Sequence, residues 1–162
     1  MGTTTADAIV SRAITVIKAI VPVTDVALQF TPFENELGAD FREAMNAAPA
    51  GCHRQYQVRM SGAGRELEVT NEDVEEHMVE LEVVIAYARD NRWGDALARD
   101  RVMDEDRHSI EDVIGVRGSA NFTNAVGVDA CWREADFEIP FERGSACDFL
   151  VIKQRMSFWR LV

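Results

Sequence analysis

The period of the apolar residues changes three times along the chain. From Ala6 to Val21, residues Val10, Ile14, Ile17 and Val21 recur at helical spacing, and Ile9, Ala13 and Ile20 widen the stripe. Thr5 stands where it can cap the first turn, Asp7 suits the positive end of the helix dipole, and Pro22 ends the pattern. From Arg54 to Met60 the period is two. Tyr56, Val58 and Met60 alternate with Gln55, Gln57 and Arg59, which predicts a strand with one buried face. His77 to Ala88 alternates more clearly, with Val79, Leu81, Val83, Ile85 and Tyr87 on one side and Glu80 and Glu82 on the other. Val84 and Ala86 continue that second side with small apolar groups, so the far end of this strand is expected to be covered on both faces.

Helical spacing returns from Asp95 to Ile114, where Ala96, Leu97, Met103, Ile110, Val113 and Ile114 supply the apolar surface and the charged stretch Asp100 to His108 thins it. Gly115 and Gly118 stand where a helix stops. The last change is back to two. In a strand predicted over Cys131 to Phe141, Phe137, Ile139 and Phe141 alternate with Asp136 and Glu138, and Pro140 prefers a sheet edge or a strand end. After a turn at Arg143-Gly-Ser145, Asp148 to Leu161 carries apolar groups on both faces, as a central strand or one buried in an oligomer does.

The intervening segments are less regular. In residues 23–53, Val26 to Phe30 suggests a short extended piece ended by Pro32, and Ala39 to Ala48 a helix broken by Pro49-Ala-Gly51. This stretch is longer than most connections and is expected to elaborate a smaller core. Ser61-Gly-Ala-Gly64 marks a turn or mobile loop, Arg65 to Glu76 is polar and need not be regular, and Gly118 to Asp129 resembles a connector. The order is helix, insertion, strand, strand, helix, strand, strand. It predicts an α+β fold in a single domain over 1–162: an antiparallel sheet of strands of mixed length, two main helices on one face, and 23–53 as an insertion. A chain of 162 residues suits one such core.

Charge narrows the function. The formal net charge of −11 repels phosphate, which argues against reading nucleic-acid sequence and against docking on anionic membranes. The apolar run Ala13 to Val23 is interrupted by Thr15 and Lys18 and is too short for a membrane span, and the start MGTTTADAIV lacks the basic opening of a secretory signal. Cys52, Cys131 and Cys147 are widely spaced with no CxxC pair, so buried free thiols are expected rather than a zinc site. His53, His77 and His108 lack metal-ligand spacing. Gly62-Ala-Gly64 is only a fragment of a phosphate-binding loop, with no Walker lysine after it. In Asp104-Glu-Asp-Arg-His108, neighbours on a helix point about 100° apart. Asp104 with His108 and Arg101 with Glu105 therefore read as surface pairs. No nucleophile elbow is present. The expectation is a protein that is not an enzyme, with no catalytic, cofactor or metal residues.

The aromatic residues suggest contact surfaces. Trp93, Trp132 and Trp159 lie in or near strand ends, where core packing or interface anchoring can hold them. Phe158-Trp-Arg-Leu161, at the end of the last strand, should be packed on something.

The arrangement resembles the tail terminator proteins of long-tailed bacteriophages and related gene transfer agents. The features are the apolar helix over 6–21, the alternating strand Met78-Val-Glu-Leu-Glu-Val-Val-Ile-Ala-Tyr87, the charged linker Arg89-Asp-Asn-Arg-Trp-Gly94, and the helix containing Asp104-Glu-Asp106 and Ile110. The closing strands end Phe149-Leu-Val-Ile-Lys-Gln-Arg-Met-Ser-Phe-Trp-Arg160. The resemblance covers about 6–21 and 54–162; residues 23–53 depart from it. It implies a virion protein of the head–tail neck, made in the host cytoplasm, that forms a homo-oligomeric ring, commonly of six subunits. Such a ring caps the tail tube, ends its polymerisation and joins it to head–tail connector proteins, with no membrane involved and no cofactor. The acidic balance would let DNA pass through the lumen without specific binding. A head-completion or stopper protein of the same neck is the nearest alternative. A cone-shaped α+β enzyme or ligand-binding domain is the other, and it would need Glu80, Glu82 or Asp136 to point inward. The expected contact residues are Arg65, Glu66, Glu68, Asn121, Phe122, Trp159 and Arg160.

Overall fold

A computed structural model describes residues 6–34, 38–71, 74–114, 128–133 and 141–161. The elements are α1 (Ala6–Lys18), β1 (Thr31–Pro32), α2 (Phe41–Ala47), β2 (Gln55–Asn71), β3 (Val74–Ala88), α3 (Ala96–Ile114), β4 (Val128–Arg133), β5 (Phe141–Arg143) and β6 (Cys147–Leu161). The fold is α+β. Its sheet runs β1-β2-β3-β6-β4, with β5 also paired to β6, and every pairing is antiparallel except β1 with β2.

The centre of the sheet is the β3–β6 ladder, continuous from Val74 opposite Leu161 to Ala88 opposite Cys147. Because strand side chains alternate, this register sorts the residues onto two faces. Leu81, Val83, Ile85 and Tyr87 of β3 lie with Tyr56, Val58, Leu150 and Ile152 on one face. They pack beneath Ile9, Ala13 and Ile17 of α1 and Met103, Ile110 and Ile114 of α3. The two main helices thus share one face, as the pattern predicts. On the other face, Val84, Ala86, Ala88 and Phe149 are buried under Phe41 and Met45 of α2. The small apolar residues at the end of β3 are covered on both sides, also as expected.

The segment 23–53 is more than an appendage, because it supplies the cover for the second face. Asp40 caps α2 by accepting from the Glu43 amide at 3.0 Å. Phe41 then packs edge-on between Phe33 and Phe149, with ring centres 5.3 and 6.1 Å away. Asn46 clamps α2 to the β5–β6 turn: its Oδ1 accepts from the amides of Ala146 and Cys147, and its Nδ2 donates to the Arg42 carbonyl. Gly144 makes this approach possible, since a Cβ there would lie 2.8 Å from both the Asn46 side chain and the Cys147 carbonyl.

Three local expectations are corrected. The first helix stops at Lys18 rather than Val21; the chain leaves through a tighter turn, with Ile20 N–H donating to the Ile17 carbonyl, before Pro22 disfavours helical backbone. Val21 is 67 % exposed and lies off the buried stripe. Val26 to Phe30 is not extended throughout, because Leu28 N–H closes a turn on the Asp25 carbonyl and the strand pairs only at Thr31 and Pro32. Ser61-Gly-Ala-Gly64 is not a turn, for β2 continues to Asn71 paired with β3, and the glycines coincide with a shift of register between Ser61 and Arg65. Glycine signals a bulge as readily as a reversal when both flanks keep a partner. The Thr5 cap, the Gly115 and Gly118 stop, and most of the connector Gly118 to Asp129 lie outside the described residues, as does the strand segment around Phe137 and Ile139.

Gly144→Ala is expected to destabilise the protein by about 1–3 kcal/mol in urea unfolding, because one of the two clashing groups is backbone that cannot swing away. Asn46→Ala removes both turn bonds instead of creating the clash; its cost is expected in the same range. Amide exchange in α2 and the β5–β6 turn should rise in both variants before exchange in β3 does.

Candidate functional site

The face buried by α1 and α3 ends in a polar network around Arg54, which is fully buried. Its Nε and Nη2 bind Asp106 of α3 at 2.8 and 2.9 Å, and the rest of the guanidinium donates to the carbonyls of Thr24, Asp25 and Leu28. All five N–H groups of the guanidinium have acceptors. Phe30 and Trp93 lie over it, at 5.4 and 5.6 Å from the ring centres. Tyr87 donates its hydroxyl to Asp106 Oδ2 at 2.7 Å. Burial pushes the Asp106 carboxyl above its ordinary value, although Arg54 and Tyr87 draw it back. Burial and Asp106 together hold the Tyr87 hydroxyl well up. The network ties the 24–28 loop to the sheet and to α3. Arg92 and Trp93 fasten it from outside by donating to Asp25, and Thr24 does so by donating to Glu105. Val23, next to this fixed loop, and Leu97 at the start of α3 are 68 % and 69 % exposed.

A second cluster surrounds Asp148, at the start of β6. This buried carboxylate accepts from Arg89 at 2.8 Å, Arg99 at 3.0 Å and Arg143 at 2.6 Å. Arg143 also reaches Asp100, and Arg89 the Gly144 carbonyl. Burial alone would raise the Asp148 carboxyl; Arg89 and Arg143 more than offset it and hold it below the usual range. Asp25 is lowered by its bond from Arg92, and Asp90 is lowered against its burial by the Arg92 amide and His53. His53 is buried against Trp93, 4.7 Å between ring centres, with Nε2 2.7 Å from Asp90.

These groups are arranged to hold chain segments together. Asp106 and Asp148 spend their oxygens on guanidiniums within the protein, and no group of three or more His, Cys, Asp or Glu among the described residues could hold a metal ion. Glu82, on the face opposite the α1–α3 core, is buried and paired with Arg59 at 2.7 Å; Glu80 lies on that same face, near Arg155. Neither points into an apolar cone. Asp136 lies outside the described residues.

The expected contact residues fall mostly at one end of the sheet. Arg65 and Glu66 of β2 stand opposite Met78 and His77 of β3, and Glu68 sits at the irregularity between Glu66 and Val69. Trp159 and Arg160 of β6 stand opposite Glu76 and Glu75 of β3. Two segments far apart in sequence are thus brought to the same place by the shared partner β3. Asn121 and Phe122 lie outside the described residues. At this end β2 has an open edge. Parallel β1 pairs only with Gln55 and Tyr56 of the 17-residue β2, and among the described residues no other strand lies on that side.

Sequence reasoning missed the Arg54–Asp106 pair, and it treated the charged centre of α3 as surface. Asp104 is on the surface as expected, bonded to Arg107 and close to His108, but Asp106 is buried. A signal was present. Arg54 precedes Tyr56, Val58 and Met60 in phase with the buried side, and Asp106 follows Met103 by three and precedes Ile110 by four on the apolar stripe. Opposite charges each in phase with a buried face can satisfy one another.

No protein-family model and no curated protein matches the sequence.

Asp106→Ala is expected to cost about 3–5 kcal/mol in equilibrium unfolding, because it leaves the Arg54 guanidinium buried without its counter-ion. Arg54→Met combined with Asp106→Leu should cost less than Asp106→Ala alone. A strictly additive cycle would show that the two residues do not act as a pair. Acid sensitivity has a defined sign. Asp25, Asp90 and Asp148 have folded values below their unfolded value of about 3.9. Their stabilisation is complete above that value and is lost as pH falls through the lower folded values. Thermal melts from pH 6 downward (roughly the onset set by free carboxyls) should show a steep loss below about pH 4, and Asp148→Asn should flatten it.

Proposed function

We propose that this chain is a non-catalytic structural subunit of a phage head–tail neck, forming a homo-oligomeric ring that caps the tail tube, ends its polymerisation and joins it to the head. The observation that carries the reading is the open edge of β2. A long strand with unpaired N–H and C=O groups is a template for another strand. Among the described residues the opposite side of the sheet ends on β4 and β5, which pair with different short stretches of β6. Two unlike edges favour head-to-tail contact between copies, and head-to-tail contact closes into a ring when the rotation allows it.

Other features fit this reading. The buried side chains cross-brace loops and helices, so the subunit offers rigid surfaces. Val21, Val23 and Leu97 each expose apolar area that a neighbouring protein can cover. No helix among the described residues is long and apolar enough to cross a membrane. The net charge of −11 per subunit disfavours adhesion of DNA passing through such a ring.

Negative-stain imaging with mass measurement, with and without tail tubes, tests the proposal. Rings seated at one end of the tube are expected. A monomer or dimer that leaves tubes bare overturns it. Met60→Pro gives a finer test. The carbonyls of Arg54 and Tyr56 face β1, so alternation turns the Met60 amide to the same open side. Removing that donor should reduce ring formation while far-UV circular dichroism shows the subunit still folded. Undiminished rings would exclude this edge as the contact.

A further inference from the structure

Cys52 and Cys147 lie in the second-face core with their sulfurs 3.3 Å apart, both buried. Cys52 ends the turn after α2, and Cys147 opens β6, where its neighbour Asn46 holds the turn. The Cys147 thiol donates to the Met45 carbonyl, which leaves its sulfur to accept from Cys52. From this geometry we infer that Cys52 and Cys147 are a modification site, closing to a disulfide that staples the 23–53 segment to the central strand β6 when the protein meets a peroxide oxidant.

Three observations support the inference. The two sulfurs already face each other, so the bond needs an approach of only about 1.3 Å to reach disulfide length. Among the described residues, no His, Asp or Glu joins the pair into a metal-holding group. The chain between them is long, so the link constrains the unfolded state strongly. The chemistry balances. One sulfur, as its thiolate, attacks hydrogen peroxide; an S–O bond forms, the O–O bond breaks, and hydroxide leaves with the thiol's proton as water. The second sulfur then attacks the first; the S–S bond forms, the S–O bond breaks, and a second water carries off the remaining proton. The sulfur pair loses two electrons and the peroxide gains them.

Burial sets the rate. It pushes both thiols above their ordinary range, so little thiolate is present and little oxidant reaches it. The reduced form therefore persists in a reducing cytoplasm, and closure is slow even after oxidant is added. The inference does not depend on the proposed role in a neck, because it rests on the pair's own geometry.

The test uses the full-length chain, purified reduced and exposed to hydrogen peroxide without denaturant. Intact mass should fall by two hydrogens, and non-reducing peptide mapping should join the peptide of Cys52 to that of Cys147. The melting temperature should rise by roughly 5–10 °C and return on reduction. Cys131→Ser should keep both effects, whereas Cys52→Ala and Cys147→Ala should each lose them. The mapping on the unsubstituted protein stands even if a variant fails to fold. A link to Cys131, a link between chains, sulfinic acid at either residue without the link, or closure only after denaturation would overturn the inference.

Discussion

Strands β3 and β6 pair along their whole lengths in one unbroken antiparallel register, and the other elements take their positions from that ladder. Strand side chains alternate, so a shift of one residue would send Leu150 and Ile152 to the α2 side and Phe149 and Val151 to the α1–α3 side. Both sets are apolar, so hydrophobicity within β6 alone specifies the register weakly. The charged ends do more. Asp148 stands opposite Tyr87 on the side where Arg99 of α3 reaches it, while Glu80 and Glu82 stand opposite Arg155 and Lys153. A slip would break the Asp148 cluster and bury these charges without partners.

The two buried ionic clusters act on the same problem from different directions. Much of the chain between α1 and β2 has no regular structure, yet it lies against the core. Arg54 accommodates it by donating to three of its carbonyls while anchoring to Asp106, so polar backbone is buried without losing its bonds. Arg54 itself has positive φ, 61°, a conformation that turns the chain into β2 and aims the guanidinium at α3. Asp148 does the reverse, gathering arginines from β5, from α3 and from the turn that follows β3. Such pairs add less net stability than their geometry suggests, because desolvation offsets much of the attraction, but breaking either partner is costly. They are better understood as specifying one arrangement of loops than as the source of folding energy. The energy comes from the two apolar faces of the sheet.

Helices cover both faces of the sheet, while among the described residues no strand lies on the β1 side of β2 beyond Tyr56. The polar side chains with the most unusual environments, Arg54, Asp106 and Asp148, are turned inward and matched.

Much of this was readable in the chain itself. Alternation at Leu81, Val83, Ile85 and Tyr87 identified β3, helical spacing at Val10, Ile14 and Ile17, widened by Ile9 and Ala13, identified α1 although the buried stripe centres on Ile9, Ala13 and Ile17, and small apolar residues at Val84 and Ala86 announced a second cover. These are local periodicities, and each element reports its own buried side. Partners are a different matter. That Arg54 meets Asp106, that Cys52 meets Cys147, that Trp159 shares an end of the sheet with Arg65, and that the glycines at 62 and 64 sit at a register shift within a strand instead of reversing it were settled only by the tertiary structure. A residue's phase states which way it points, but what it meets depends on elements that arrive from elsewhere in the chain.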